Sequence, residues 1–186
     1  MGLFDKLKKE KNNKITKQYD DDLMEIVRIA SFNNTNILNH VQDCINNPLE
    51  YYNNHHDDYN ERGITNKEES SFLQWIGCID LLINSNYVCE CDWKEEKDNF
   101  IAQLSKLKGL SSLSLKINDK WLSEEQSIPE WCKILDNKWR KLDSVVGAFD
   151  INSDSYLLFI CKETNLKTLM SLAKNFGYRI DYAKNM

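Results

Sequence analysis

The spacing of apolar residues changes near residue 86, and this change limits the folds open to the chain more than any other feature. Before that point, apolar side chains recur with the three- to four-residue period of a helix that buries one face, most clearly at Phe72, Trp75, Ile76, Ile79, Leu82 and Ile83. After it, the apolar runs are short and end at turn-forming residues, as strands do. Helices first, and then strands mixed with helices, predict an α+β fold.

The predicted order is three or four helices followed by β-α-β-α-β-β-α-β, which gives a mixed or antiparallel sheet of four to five strands with packed helices. The segment LSLKIN (113–118) alternates and is predicted to be one of the strands, while NSDS (152–155) is predicted to turn a hairpin. Side chains that can cap a helix predict helix starts at Asp20 or Asp21, at Thr65 with Glu68, and at Ser127 with Glu130.

Charge divides the chain unevenly. Residues 1–18 contain six lysines and two acids, a net charge of +4, so residues 19–186 carry −9 of the total of −5. We predict a basic flexible tail over 1–18 and one α+β domain over 19–186, with a helical part (19–85) and a sheet part (86–186). An alternative role for residues 1–17 is weak contact with a membrane surface, because apolar residues precede the lysines at helical spacing.

The acidity of residues 19–186 indicates the class of partner. Nucleic-acid binding depends on Lys and Arg neutralising phosphates, so an acidic body does not suit it. It suits a basic protein, although an acidic surface also serves solubility. The chain has no apolar run of membrane-spanning length and no apolar core of a signal peptide. We therefore expect a cytoplasmic protein with reduced cysteines, no transmembrane segment and no cofactor.

The stretch YVCECDWKEE (87–96) looks most like a site, because two cysteines lie one residue apart among acids. Residues two apart on a strand share a face, so Tyr87, Cys89, Cys91 and Trp93 are expected to form one apolar face. A structural zinc site needs four ligands, and no second close pair of cysteines follows. The two thiols are therefore predicted to pack as small hydrophobes.

The acids of this stretch divide into two roles. Asp92, with Glu95 three residues later, is predicted to cap the following helix. Glu90 is left without a structural role, so it is a candidate for binding a partner. Asp150 and Asp154 in the predicted hairpin turn are the other candidates, because the turn is expected to lie at a sheet end adjacent to the strand 87–91.

The same turn resembles the start of a calcium loop, with Asp150, Asn152 and Asp154 at alternate positions. An EF-hand loop requires Gly at its sixth position and Glu at its twelfth, where this chain has Ser155 and Cys161. A hairpin turn whose Asp and Asn side chains bond their own backbone explains the same residues. No metal is predicted here.

The string HHDD (55–58) suggests a metallohydrolase, since His56 and Asp57, with His40 upstream, resemble the H…HD core of the HD phosphohydrolases. Imidazoles and carboxylates in such a core hold a divalent cation that polarises a phosphate. The flanking residues lack the apolar stripe of a buried metal-binding helix, so a solvated polar helix end or loop is the competing interpretation. The chain contains no P-loop, dinucleotide-binding or G-x-S-x-G motif.

Three segments, FLQWIGCIDLL, CDWKEEKDNF and FDINSDSYLLFI, resemble an uncharacterised bacterial family of small proteins. In that family a W-x-G helix is followed by a D-W-K-E segment and a D-S-D-S-Y hairpin. The resemblance covers about residues 65–182 and implies no catalytic residues, because the family has no assigned chemistry. Small acidic proteins of this appearance include bacterial immunity and accessory proteins.

These observations lead to one main hypothesis about function and one alternative. The main hypothesis is a non-catalytic cytoplasmic protein-binding module, of the immunity type, that recognises a basic partner through Glu90, Asp150 and Asp154. The alternative is a metal-dependent phosphohydrolase of the HD type that uses His40, His56 and Asp57. The oligomeric state is not predicted.

Overall fold

A computed structural model describes residues 3–175 and 177–186, with side chains from residue 17 onward. Its α-helices are α1 Leu3–Ala30, α2 Thr35–Asn46, α3 Pro48–Asn54, α4 His56–Glu61, α5 Ser70–Asn84, α6 Lys97–Ser105, α7 Lys108–Ser112, α8 Ile128–Trp139 and α9 Glu163–Lys174. Its strands are β1 Val88–Asp92, β2 Ser144–Phe149, β3 Ser155–Lys162 and β4 Ile180–Tyr182. Short 3₁₀ turns lie at Asp119–Trp121, Arg140–Leu142 and Ala183–Asn185. The predicted α+β class, with a helical N-terminal half, is confirmed.

The strands of the described residues form one sheet in the order β1-β3-β2-β4, and every neighbouring pair is antiparallel. At one end of the sheet, Asp92 of β1 lies opposite Ser155 of β3. At the same end, Phe149 of β2 lies opposite Leu157 of β3 and Ile180 of β4. The predicted hairpin of β2 and β3 is confirmed, and the sheet is antiparallel.

The strand predicted at 113–118 is wrong. Ser114 adopts a φ of 54°, and the N–H of Leu115 donates to the carbonyl of Leu110. The chain therefore turns as α7 ends, and the residues that follow run irregularly to the 3₁₀ turn at Asp119–Trp121. The alternation of apolar residues in this segment reflects the burial of Leu115. It does not reflect a strand, because the segment pairs with no strand of the sheet.

Helices cover both faces of the sheet, and a separate hydrophobic core lies on each side. Helices α1 to α5 and α9 contribute to the core on the face that carries Leu157, Phe159 and Cys161. Helices α6 and α8 contribute to the core on the face that carries Leu158 and Ile160. Because successive strand residues point to opposite faces, β3 buries side chains in both cores.

The first helix starts earlier than predicted. Asp20 and Asp21 lie inside α1, which begins at Leu3, so neither of them caps it. Lysine and glutamate have high helix propensity, and the helix accordingly continues through the charged segment before them. The boundary predicted at residue 18 falls within this helix and coincides with no change of secondary structure.

The capping box predicted for α5 is also wrong, whereas the one for α8 is confirmed. Helix α5 begins at Ser70, five residues after Thr65, whose hydroxyl accepts a 3.4 Å hydrogen bond from the N–H of Lys67 in a local turn. At α8, the side chain of Ser127 bonds the helix backbone, and Glu130 accepts a 2.8 Å hydrogen bond from the N–H of Ser127.

A buried carboxylate joins α8 to the sheet and to the last turn of the chain. Asp136 Oδ1 accepts a 2.9 Å hydrogen bond from the N–H of Val146 in β2, and its Oδ2 lies 2.8 Å from Lys184 Nζ. Burial raises the pKa of the Asp136 carboxyl, and the hydrogen bonds from Lys184 and Val146 oppose that rise. These contacts fix the 3₁₀ turn at Ala183–Asn185 against the sheet.

Candidate functional site

A cleft of about 450 Å³ lies at the end of the sheet where β1 and β2 end and β3 and β4 begin. We call it the hairpin cleft, because the turn between β2 and β3 forms one of its walls. It brings together side chains that are far apart in the sequence: Trp93, Ala148, Phe149, Asp150, Ser153, Asp154, Ser155, Tyr156, Arg179 and Met186.

The hairpin turn holds its shape through local hydrogen bonds, as the sequence predicts. Asp150 Oδ1 accepts a 2.8 Å bond from the N–H of Asn152, and Ser153 Oγ accepts a 3.2 Å bond from the N–H of Ser155. Asn152 adopts the left-handed conformation, with φ of 57°, which Asn tolerates better than most residues. The alternating Asp and Asn residues therefore shape a turn.

The three segments that carry the family resemblance pack against one another around the hairpin that borders this cleft. Trp75, from the W-x-G helix, donates from its indole N–H to the carbonyl of Asp150 at 3.4 Å and stacks on Tyr178, with ring centroids 4.6 Å apart. Asp92, from the D-W-K-E segment, lies opposite Ser155 of the hairpin in the β1/β3 register. The segments are therefore in contact with one another, although up to 75 residues separate the bonded groups.

Gly77, the third position of W-x-G, lets α5 lie close to the helices before it. A Cβ at this position would lie 2.4 Å from the Tyr59 hydroxyl oxygen and 2.7 Å from Cys44 Sγ, and both distances are too short for carbon. The close packing places α5, and with it Trp75, beneath the hairpin.

Trp93 is a large apolar residue of the cleft that is exposed to solvent. The residue is 56% exposed, whereas Trp75, Trp131 and Trp139 are buried and each donates its indole N–H to a backbone carbonyl. Lys94 Nζ lies 4.4 Å from the centroid of the Trp93 ring, so a cation already contacts this ring. The sequence pattern placed Trp93 in the core, and this prediction is wrong.

Trp93 is exposed because pairing of β1 ends one residue before it, at Asp92. The prediction that Tyr87 shares a face with Cys89 and Cys91 is also wrong. Tyr87 packs in the core on one side of the sheet, and the two cysteines pack in the core on the other side. The packing of the two cysteines in a core is confirmed, because both are buried. The acids on both sides of Trp93, in D-W-K-E, were the sequence signal that this tryptophan lies at the surface.

Asp92 does not cap the helix that follows. Its Oδ1 accepts a 2.9 Å hydrogen bond from the N–H of Lys94, and α6 begins only at Lys97. The predicted cap is therefore wrong, and the carboxylate instead stabilises the turn that positions Trp93.

The charged groups of the hairpin cleft differ in how far they are already paired. Among the described residues, the exposed carboxylate of Asp154 forms neither a hydrogen bond nor an ion pair. Arg179, in contrast, lies 3.0 Å from Asp181 Oδ2 and donates to the carbonyl of Asn185 at 2.9 Å. The negative charge of Asp154 is therefore available to a ligand, and the positive charge of Arg179 is compensated within the protein.

Glu90 lies in a different cleft, of about 310 Å³, and has a structural role that the sequence did not indicate. Arg62 Nη2 lies 2.9 Å from Glu90 Oε2 and 2.8 Å from Asp80 Oδ1. The guanidinium therefore joins the end of α4 to α5 and β1. We call this group, Arg62, Asp80 and Glu90, the arginine clamp.

The three side chains of the arginine clamp are largely buried, and this burial affects the pKa of Asp80. The side chain of Asp80 is 13% exposed, that of Arg62 19% and that of Glu90 33%. Burial raises the pKa of the Asp80 carboxyl, while hydrogen bonds and charge from Arg62 oppose the rise. No spacing pattern links Arg62 to Glu90 in the sequence, so only packing of the elements reveals their pairing.

The structure does not bring together the histidines of the phosphohydrolase hypothesis. His40 lines a cleft of about 250 Å³ with His55 and not with His56. His56 is exposed and lies 3.0 Å from the exposed carboxylate of Asp57. Within residues 17–175 and 177–186, no three His, Cys, Asp or Glu side chains are grouped in a way that could hold a metal ion.

No helix in the described part of the chain has both the length and the apolar character needed to cross a bilayer. This finding concerns residues 3–175 and 177–186. The predicted membrane-surface contact of residues 1–17 falls almost entirely on side chains outside the described ones, and it stays a prediction.

Comparison with known proteins identifies the family. A family described as a domain of unknown function, DUF6630, matches residues 22–183. The match begins within α1, so it includes the N-terminal helices as well as the three segments that suggested the resemblance. No curated protein and no solved structure matches the chain. The chain therefore belongs to the DUF6630 family.

Proposed function

We propose that this protein is a non-catalytic cytoplasmic binding module that holds a basic segment of a partner protein in the hairpin cleft. The observation that carries this proposal is the exposed indole of Trp93 beside the unpaired carboxylate of Asp154. An immunity-type pairing with a basic toxin is the specific form that the similarity to small acidic bacterial proteins suggests.

The residue types in the cleft support binding of a protein. Tryptophan and tyrosine are enriched at protein interfaces, where a few such side chains carry most of the binding energy. Trp93 and Tyr156 provide two of them at the same sheet end. The net charge of −9 on residues 19–186, which follows from the −5 of the whole chain, favours encounter with a basic partner.

We assign Asp150 and Asp154 to the contact and not Glu90. The carboxylate of Glu90 is already bound by Arg62 in the arginine clamp, so a partner would have to replace an existing ion pair. Asp154 forms no such bond among the described residues, and Asp150 uses one oxygen for the turn. The two aspartates therefore offer three carboxylate oxygens to a ligand.

Affinity capture with charge variants tests the proposal. The full chain is immobilised and exposed to extract of the organism that encodes it, at low salt and at high salt. The test variant is Asp150→Asn/Asp154→Asn, which keeps the turn hydrogen bond to Asn152. The control is Glu68→Gln/Glu125→Gln, which removes the same charge from exposed residues outside the cleft.

We expect wild type and control to retain a protein with a pI above about 9 at low salt, and the test variant to retain at least about tenfold less. High salt should release the protein from wild type, because screening weakens exposed charge pairs. Equal retention by the test variant, or no retained protein at low salt, would overturn the proposal.

The phosphohydrolase alternative and the membrane-surface contact of residues 1–17 make separate predictions. A divalent metal in the purified protein that is lost in His56→Ala would favour the phosphohydrolase over the binding module. Flotation with anionic vesicles that depends on residues 1–17 would establish the membrane-surface contact.

A further inference from the structure

We infer that the side chain bound in the hairpin cleft is an arginine of the partner protein. Its guanidinium stacks on Trp93 and bonds the carboxylates of Asp150 and Asp154. This inference rests on the proposed function and specifies the chemistry of the anchor.

The indole of Trp93 and the carboxylates of Asp150 and Asp154 line the same cleft at one end of the sheet. Asp92 and Ser155 form the last pair of β1 and β3, and they face each other across the ladder. Trp93 and Asp154 are the residues next to this pair in the sequence, and both line the hairpin cleft. On the other side of β3, the N–H of Asp150 donates to the carbonyl of Arg179 at 3.0 Å. The order across the sheet end is therefore Trp93, Asp154, Asp150 and Arg179.

The surface of Trp93 attracts a cation within the protein itself. Lys94 Nζ lies 4.4 Å from the centroid of the ring, although the lysine is exposed and has no carboxylate partner among the described residues. Trp93 is also one of the few large apolar residues that are exposed to solvent among the described ones. An incoming cation therefore finds an accessible aromatic ring and competes there with Lys94.

Carboxylate acceptors for the cation line the same cleft as this ring. Asp154 is unpaired among the described residues, and Asp150 Oδ1 alone is engaged by the turn. At the far side of the cleft, Arg179 is paired with Asp181 at 3.0 Å. The charge of the cleft therefore complements a cation placed between Trp93 and Asp150.

Arginine fits these groups better than lysine does. A guanidinium is planar, so it stacks on an indole while its N–H groups point outward in the ring plane to carboxylates. It is also more weakly hydrated than an ammonium, which lowers the cost of leaving water. We expect the cleft to bind an arginine side chain about three- to tenfold more tightly than a lysine side chain.

Nuclear magnetic resonance of the ¹⁵N-labelled full chain tests this directly. The probes are acetyl-Gly-Arg-Gly-amide, its lysine analogue and its citrulline analogue, which is planar but uncharged. The Trp93 indole N–H signal, assigned by its loss in Trp93→Phe, should shift with the arginine peptide at the lowest concentration. An equal or lower dissociation constant for the lysine peptide, or no shift of the Trp93 signal, would overturn the inference.

Two lysine variants test the contribution of the ring. Lys94→Met removes the cation that competes for Trp93, and Lys106→Met removes the same charge at an exposed site outside the cleft. Lys94→Met should tighten arginine binding at least about twofold more than Lys106→Met does. Equal effects of the two variants would contradict stacking on Trp93.

The failure of this inference is distinguishable from the failure of the proposed function. If capture of a basic protein depends on Asp150 and Asp154, but arginine and lysine peptides compete with it equally, the binding function stands and arginine selectivity is refuted. If capture is independent of both aspartates, the proposed function fails together with the inference.

Discussion

Replacing Arg62 by methionine tests whether the arginine clamp stabilises the junction of α4, α5 and β1. Methionine retains most of the aliphatic stem and removes the guanidinium, which makes two hydrogen bonds to Asp80 and two to Glu90. Removing one partner of a buried ion pair leaves an uncompensated charge and costs about 3 to 5 kcal/mol. Since Glu90 is one third exposed, we expect a loss near the lower bound, about 3 kcal/mol in the free energy of unfolding.

The loss is measured by urea denaturation followed by circular dichroism, and by the midpoint of thermal unfolding. For a domain of this size, about 3 kcal/mol corresponds to a fall of about 6 to 12 °C in Tm. The matched control is Arg140→Met, because Arg140 is exposed and donates only to the exposed Asn137. The control should change stability by less than about 0.5 kcal/mol.

The pH dependence of this loss identifies its cause. The native pKa of Asp80 already lies above 3.8 because of burial, and removing Arg62 raises it further. A carboxyl whose pKa is higher in the folded than in the unfolded protein binds its proton more tightly in the folded protein. The protein therefore loses stability as the pH rises above 3.8 and this carboxyl becomes charged. The penalty of Arg62→Met should therefore be full near pH 7 and decrease toward about pH 4.

A second substitution separates charge from packing. Asp80→Asn in the Arg62→Met background removes the isolated buried charge and should recover at least about 1 kcal/mol. The clamp would be refuted if Arg62→Met lost less than about 1 kcal/mol, if its penalty did not change with pH, or if the second substitution recovered nothing.

Three further predictions concern packing and capping, and urea denaturation measures each. Gly77→Ala should lower the free energy of unfolding by about 2 kcal/mol, because its Cβ would lie 2.4 Å from the Tyr59 hydroxyl oxygen; wild-type stability would contradict the close packing of α5. Ser127→Ala should cost about 1 kcal/mol through loss of the α8 cap, and an unchanged midpoint would show that the cap is dispensable. Asp136→Ala should cost about 3 kcal/mol, because it leaves the buried N–H of Val146 without its acceptor; a loss similar to that of Ser127→Ala would contradict this.

The sequence predicted the elements whose signals are local. The stripe of α5, the capping box of α8 and the hairpin of β2 and β3 each depend on residues a few positions apart. Capping signals were misleading at Asp20, Thr65 and Asp92, since a residue able to cap a helix also tolerates a place inside one or in a turn beside one. The alternation at 113–118 was misleading as well, because no strand forms there.

The candidate site was predictable only in part, for a related reason. Asp150 and Asp154 were identified because they belong to one turn, and they do line a cleft. Trp93 was assigned to the core because two-residue periodicity predicts which residues share a face, not where the pairing of a strand ends. Glu90 was assigned to a partner because its cation, Arg62, precedes it by 28 residues without any periodic relation.

By itself the sequence determined the fold class, the helical first half, the hairpin and the acidity of the protein, because composition and short-range periodicity encode these directly. Only the tertiary structure decided that both faces of the sheet are covered and that Arg62 holds Glu90. It also decided that segments from three parts of the chain meet at the hairpin cleft. These features arise from packing between elements distant in sequence, where the burial of large apolar faces sets the positions of the polar groups they carry.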